Sequence, residues 1–326
     1  MFFSLIIPVY NRPEEAHELL ETIDKQVFDK EKISFEVLIV EDGSTRKADK
    51  VAEKFADRLS IHYFFKENTG QGFSRNFAFE RAKGDYFIIL DSDCLLPPQY
   101  LQTIYEHLQS NPLDAFGGPD AAHSSFTDTQ KAISYAMTSL FSTGGIRGNK
   151  RAAEKFRPRS FNMGLSRKVW ETVGGFAITR MGEDIEFSIR IEKAGFRVGL
   201  IPDAFVYHKR RSNFRQFYKQ LHFFGRARIN VRRFYPEELK LVHCFPAAFV
   251  LFLCCLPIGF LIKVELGALL ASFLLLYCLL ILSDALIKTK NTKIALMALY
   301  AVLVQLIGYG VGFLTEILSS LKKNKS

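Results

Sequence analysis

Asp85–Asp93 reads DYFIILDSD, an apolar run that ends in two carboxylates separated by a serine. The run is too short for a helix and rich in aromatic and branched residues, so Asp85–Leu90 is expected as a buried strand. Asp91, Ser92 and Asp93 then fall where the strand runs out. Two carboxylates at that spacing suit a hard divalent cation, Mg²⁺ or Mn²⁺, held over a diphosphate. Taken alone, the triplet also reads as an ordinary turn.

Upstream, strand and helix patterns alternate. Phe3–Val9 is a short apolar run, followed by Pro13–Lys25 with Ala16, Leu19, Leu20 and Ile23 on one helical face. Phe35–Val40 and Ile61–Phe65 read as strands, Lys47–Phe55 and Gly72–Ala82 as helices. This β-α-β-α-β-α-β order predicts an α/β fold, a mostly parallel sheet with helices on both faces. Ligands of such sheets bind beyond the carboxyl ends of the strands, so the polar residues there are the candidates for chemistry. There is no GxGxxG after the first strand and no GxxxxGK[ST] anywhere, which argues against a nicotinamide dehydrogenase and a P-loop NTPase. Phe73, Phe77 and Phe79 are assigned to the core, and His17, His62, His107 and His123 to structural roles. Gly174 and Gly175 read as a helix C-cap.

The strand ends supply a set of motifs in order: Pro8-Val9-Tyr10-Asn11-Arg12, Glu41-Asp42-Gly43-Ser44, Asn68–Asn76 (NTGQGFSRN), Asp91-Ser92-Asp93, Gly182-Glu183-Asp184 opening a helix, and Val206-Tyr207-His208. Together they resemble those of glycosyltransferase family 2, inverting enzymes of the GT-A fold that use nucleotide-sugars. The resemblance covers about residues 3–228. It implies that Pro8, Tyr10, Asn11, Asp42 and Gly43 hold the nucleotide, with Asp42 accepting a base N–H. It further implies that Arg75 faces the diphosphate, that Asp91 and Ser92 lie at the ribose, and that Asp91, Asp93 and His208 hold the metal. Asn162 and Gly164 would sit near the donor sugar, Lys209 and Arg210 would supply charge to the leaving diphosphate, and Asp184 would be the catalytic base. Glu41 departs from the family's usual aspartate at that position. From the residues alone, Asp184 also reads as a helix-capping acid and His208 as a structural histidine.

Inverting transfer needs a carboxylate to take the acceptor's proton and an electrophile for the departing diphosphate. The family's processive synthases carry a QxxRW motif; Trp170 is the only tryptophan here and lies outside any such motif, so one sugar per encounter is expected. The resemblance leaves two rivals: a polyprenyl-phosphate glycosyltransferase, whose acceptor needs no base, and a non-catalytic membrane scaffold of the same fold.

Across 326 residues, 43 Lys+Arg stand against 34 Asp+Glu, a net charge of +9, and 24% of residues are charged. That excludes intrinsic disorder and a chain embedded in lipid throughout. The charge is unevenly spread. Residues 244–262, 266–287 and 294–314 are nearly free of it and long enough to cross a bilayer, the first being a candidate for a kinked or re-entrant segment because of Pro246 and Pro257. Residues 205–243 hold ten basic residues against two acidic ones, interleaved with aromatics. Beside a membrane segment, this reads as an interfacial helix on anionic lipid rather than a nucleic-acid site. No N-terminal signal pattern is present. The expected layout is a catalytic domain at 1–211, a basic interfacial helix at 212–243, a membrane region at 244–318 and a basic tail at 319–326. The catalytic part is expected in the cytosol of a bacterial cell, at the inner membrane, acting on a lipid-linked or surface-glycan acceptor. Three crossings would leave the 288–293 loop and the 322–325 tail, both lysine-rich, on opposite sides, a conflict that the sequence leaves open. Five cysteines without a CxxC pair indicate neither a zinc site nor a disulfide framework.

Overall fold

The computed structural model describes residues 1–121, 123, 125–143 and 156–323. In chain order its elements begin with β1 (Phe2–Val9), α1 (Pro13–Asp24), β2 (Ser34–Asp42), α2 (Asp49–Glu53), β3 (Ile61–Lys66), α3 (Gln71–Phe79) and β4 (Tyr86–Leu90). Next come β5 (Cys94–Leu95), α4 (Tyr100–Ser110), β6 (Ala115–Gly117), β7 (Asp120–Ala121), α5 (Asp128–Thr138) and α6 (Leu140–Thr143). Then follow β8 (Asn162–Ser166), α7 (Arg167–Val173), α8 (Glu183–Lys193), β9 (Val198–Leu200), β10 (Val206–His208) and α9 (Phe214–Phe234). Three long helices close the chain: α10 (Leu241–Ile262), α11 (Val264–Thr289) and α12 (Thr292–Lys323). The chain divides into two compact units, Met1–His123 with Gly148–Lys209, and Ser124–Arg147 with Arg210–Ser326.

The first unit is built on a seven-stranded sheet in the order β3-β2-β1-β4-β8-β6-β9. The β1 to β4 strands are mutually parallel, and β8 runs antiparallel between β4 and β6. Successive residues of each strand bury on opposite faces. Leu5, Ile7, Val37, Ile39 and Ile88 meet α1 and α4 through Leu19, Leu20, Leu101 and Ile104. On the other face Ile6, Leu38, Val40, Phe87 and Ile89 meet Phe79, Val169 and Phe187 of α3, α7 and α8. Strands covered on both faces have no polar side to alternate, which is why they read as continuous apolar runs. The strand order turns back at β1, so the carboxyl ends of β1 and β4 flank the crevice where such sheets take ligands. A second, three-stranded sheet, β5-β10-β7, brings β10 beside the chain just after Asp93.

Helix ends differ from the sequence reading by a few residues, α2 and α3 being shorter than expected and continued by turns. Phe79 is core and Phe77 packs edge-on against Phe64, but Phe73 is exposed. The face of α3 that turns inward carries Gly72, Arg75, Ala78 and Phe79, and Phe73 falls opposite it. Gly174 does cap α7, with a left-handed φ of 77°.

The second unit is helical. Its larger cluster unites Ile133 and Ala136 of α5, Phe217 and Leu221 of α9, Phe249 of α10, Ile281 and Ala285 of α11, and Ala298, Val302 and Leu306 of α12. The α5 segment therefore packs with helices far along the chain, with Tyr135 donating to Asp284 at 2.5 Å and Lys293 to Asp128 at 2.8 Å. Helix α10 runs unbroken through Pro246 and Pro257, and Lys263 alone links it to α11. Among the described residues three helices, Leu241–Ile262, Val264–Thr289 and Thr292–Leu321, are long and apolar enough to cross a membrane.

Candidate active site

At the carboxyl end of β1 the chain turns through Asn11, a non-glycine residue with φ of 55°. Its Oδ1 accepts from the Thr45 and Arg46 N–H groups and the Thr45 hydroxyl, each at 2.9 Å, and its own N–H donates to Ser44 Oγ at 2.7 Å. Asn11 thus ties the loop after β1 to the loop after β2, while Tyr10 beside it is exposed and Pro8 is half-buried.

Asp42, the last residue of β2, is almost wholly buried. It accepts from Lys66 Nζ at 2.6 Å and from the Thr69 and Gly70 N–H groups at 2.9 Å each. Burial by itself would raise its pKa; the Lys66 ammonium and the Thr69 N–H outweigh burial and hold the carboxyl below its ordinary value. Gly43 follows in a left-handed turn, φ of 74°. Glu41, the departure from the family pattern, turns inward. Its carboxylate takes the Ser44 hydroxyl, the Ala48 N–H at 2.8 Å and the Tyr63 hydroxyl at 3.2 Å, so it shapes the loop into α2.

The carboxyl end of β4 carries the two aspartates in opposite directions. Asp93 receives Arg12 Nη1 at 2.7 Å on Oδ2, and His208 Nε2 lies 3.1 Å from its Oδ1. Arg12 is raised in pKa: burial pulls it down, but the Asp93 carboxylate more than compensates. The β5–β10 pairing delivers His208, whose ring stacks on Phe161 at 4.9 Å. Asp91 instead accepts from Arg75 Nη2 at 2.9 Å, with Ser92 buried between the two aspartates in sequence.

Of the three expected metal ligands, then, the structure brings Asp93 and His208 together and turns Asp91 toward Arg75. The third ligand-type atom beside Asp93 and His208 is Cys94 Sγ, all three lying within 4.8 Å of one another. Burial drives the Cys94 thiol pKa well up, and the S–H faces the Phe161 carbonyl at 3.5 Å. A protonated thiol does not suit a hard cation; the Asp93 carboxylate fits Mn²⁺ or Mg²⁺, and the His208 imidazole, softer than oxygen, favours Mn²⁺ of the two.

Arg75 has no exposed surface. Besides Asp91 it reaches Glu183 Oε1 at 3.5 Å and lies over the Phe176 ring at 5.3 Å. The expectation that it faces the diphosphate meets a guanidinium enclosed between two carboxylates. Glu183, absent from the sequence-based candidates, is buried and also accepts from the Gln71 amide. Burial first, and then the neighbouring Asp184 charge, push the Glu183 carboxyl up, with Arg75 opposing. A buried acid in a first helical turn looks in sequence like any other N-terminal acid. Only the arrival of Arg75 from α3 reveals it.

Asp184 opens α8 behind Gly182, whose φ is 97°, and Met181, whose φ is 65°. Its Oδ1 accepts the Ile185 N–H at 2.8 Å and lies 3.8 Å from Arg159 Nη1. Its Oδ2 makes no hydrogen bond among the described residues.

Asn162 and Gly164 are not brought to this surface. The Asn162 amide is committed to the Tyr100 hydroxyl at 2.6 Å and the Ala204 carbonyl at 2.8 Å, inside the sheet. Gly164 lies under the Phe116 ring, where a Cβ would come within 2.0 Å. Lys209 pairs with Glu18 on α1. Arg210 begins the second unit and is buried, its carbonyl accepting the Gln130 amide at 3.0 Å.

Comparison with known proteins agrees with this architecture. The sequence model described as "Glycosyl transferase family 2" matches residues 4–174. A probable glycosyltransferase of Sulfolobus acidocaldarius is 27% identical over 226 residues, 67% of this chain and 47% of that protein. Glycosyltransferase AglE of Haloferax volcanii is 26% identical over 234 residues, 71% of this chain and 74% of that protein. The chain thus spans about half the length of the Sulfolobus relative. Among solved structures, the mannosyltransferase PcManGT from Pyrobaculum calidifontis, in complex with GDP-Man and Mn²⁺, superposes with a TM-score of 0.67 at 18% identity. That superposition covers 96% of this chain and 86% of the other, and it shows a shared GT-A fold.

Proposed function

The chain belongs to glycosyl transferase family 2, and from that premise we propose that it moves one sugar, with inversion, from a nucleotide-diphosphate sugar to an acceptor hydroxyl. The acceptor is a lipid-linked or surface glycan presented at the cytosolic face of the membrane. The observation that carries this reading is the convergence of Asp93, Arg12 and His208 at the carboxyl ends of β1 and β4, where sheets of this topology take ligands.

In this reading Asn11, Asp42 and Gly43 frame the nucleotide pocket with Tyr10 at its rim, and Asp93 with His208 holds a divalent cation, Mn²⁺ or Mg²⁺. When bound, that cation would neutralise charge on the leaving diphosphate. The PcManGT complex with GDP-Man and Mn²⁺ supports a cation and a nucleotide-sugar as partners of the fold. Arg75 acts through others, fixing the Asp91 carboxylate on one side and Glu183 on the other. Lys209, next to His208 in sequence, adds positive charge near the diphosphate end.

Asp184 takes the acceptor's proton. Its Oδ2, which makes no hydrogen bond among the described residues, is the atom that receives the proton. A phosphate acceptor is already ionised and would leave Asp184 without a task. Asp184→Asn therefore tests the reading: turnover is expected to fall ~10²–10⁴-fold, with donor binding retained. Near-normal turnover in that variant would replace the hydroxyl acceptor by a polyprenyl phosphate.

A further inference from the structure

Helix α12 meets the length and hydropathy expected of a membrane span, yet more than half of its most apolar stretch is buried inside the protein. Helix α9 runs beside it in the same direction. Phe214 meets Tyr300 ring to ring at 4.8 Å, and Gly308 lies against Tyr218 and Leu221. A Cβ on Gly225 would come within 2.1 Å of the Tyr309 carbonyl, so the two backbones are in direct contact. Further along, Arg226 Nε reaches Glu316 at 2.9 Å, and Arg233 reaches Glu316 and Ser320 at 2.8 Å each. From Tyr300 to Ser320 is about 30 Å at 1.5 Å per residue, the whole thickness of a hydrocarbon core.

If α12 crossed a bilayer, α9 would have to lie in it as well. That helix carries Arg215, Lys219, Arg226, Arg228, Arg232 and Arg233, of which Arg215, Lys219, Arg232 and Arg233 are exposed. Charges at membrane depth face a protein interior or a water-filled cavity, not lipid. The middle of α12 is largely covered by its neighbours, with no residue from Ala301 to Leu314 fully exposed, while Leu296, Tyr300 and Leu318 stand exposed toward its ends. Its most apolar stretch is 56% buried, against 17% for α10 and 11% for α11.

The other two helices have the opposite character. They form a tight hairpin through Lys263, with Gly267 under the Phe260 ring near the tip. Leu261, Val264, Phe273, Leu275 and Leu276 stand exposed along it. Lys240 precedes α10, while Lys288, Lys290 and Lys293 follow the apolar part of α11, so both open ends carry positive charge, as expected on a cytosolic face. Helix α12 meets the hairpin toward those ends. Ile294, Ala295 and Ala298 share a cluster with Ile281 and Ala285 of α11, and Gly310 lies against Pro246 of α10.

We infer that α10 and α11 alone cross the bilayer, as a two-helix hairpin, and that α12 lies with α9 across the hairpin's open end on the basic face. The carboxyl end of α12 then lies on the face where α10 begins. This removes the conflict between the two lysine clusters without a re-entrant first segment.

The test uses the full-length protein in sealed membrane vesicles of both orientations, probed with a membrane-impermeant maleimide. Single cysteines are placed by Lys263→Cys, by Lys290→Cys and by one residue appended after Ser326, with the native cysteines replaced. The appended cysteine is expected to label in the same vesicles as Lys290→Cys, and Lys263→Cys in the opposite ones. Labelling of the appended cysteine only opposite to Lys290→Cys would overturn the inference, as would Lys263→Cys labelling together with Lys290→Cys. A carboxyl-terminal epitope on the chain with its native cysteines, followed by protease digestion, gives the same reading if the cysteine replacements impair folding.

Discussion

Asp42 and Arg75 are both buried ions, and each is held by several partners rather than one. Asp42 takes the Lys66 ammonium and two loop N–H groups, and its pKa is held below the ordinary 3.8. A carboxylate whose folded pKa is depressed stabilises the fold above its unfolded pKa and loses that contribution as pH falls through the folded value. The melting-temperature gap between the native chain and Asp42→Asn is therefore expected to be full at neutral pH and to shrink below about pH 4. A gap that is constant from pH 7 to pH 3 would contradict this. Arg75 is the counter-ion of Glu183, so Arg75→Met leaves a buried acid without its cation. Breaking such a pair costs about 3–5 kcal/mol, and adding Glu183→Gln is expected to recover part of it. Denaturant unfolding of the two single variants and the double variant checks that coupling. Burial of an arginine cannot be read from its neighbours in the chain. It depends on Asp91 and Glu183, which arrive from a strand end and a distant helix, and this is why the family resemblance places Arg75 at the diphosphate without showing its burial.

At the scale of elements, the central strands were legible because each is apolar on both faces, and α1 because its buried residues repeat at helical spacing. The antiparallel β8 was less so. Its register against β4 and β6 is set by a close approach, with Gly164 opposite Ile88 on one side and Phe116 on the other. The glycine marks that approach. Gly164→Val is expected to destabilise the first unit by roughly 1–3 kcal/mol through overpacking, with partial rescue by Phe116→Ala in thermal melts. Equal destabilisation with and without Phe116→Ala would mean that the ring is not the obstacle. The affiliation of α5 escaped the sequence for a similar reason. Its amphipathic pattern is ordinary, and its partners, α11 and α12, lie some 150 residues further on.

For the whole molecule, apolar composition alone does not separate a helix in lipid from a helix in protein. Helices α10, α11 and α12 are all long and apolar enough to span, and what differs most is how far other helices cover them. A charge introduced on each surface should therefore have unequal effects. Leu276 stands on the exposed side of α11 and Phe234 on the exposed end of α9. A lysine at the centre of a lipid-facing helix costs ~2.5–3.5 kcal/mol on insertion scales, whereas one on a basic, hydrated helix costs little. Leu276→Lys should thus lower the membrane-bound fraction of the full chain, measured after a high-salt wash, roughly 100-fold relative to the unbound pool. Phe234→Lys should leave that ratio within about 2-fold, in keeping with surface substitutions. Equal loss in both variants would mean that α9 shares the hydrocarbon with α11, which its row of arginines makes physically untenable unless water reaches that depth.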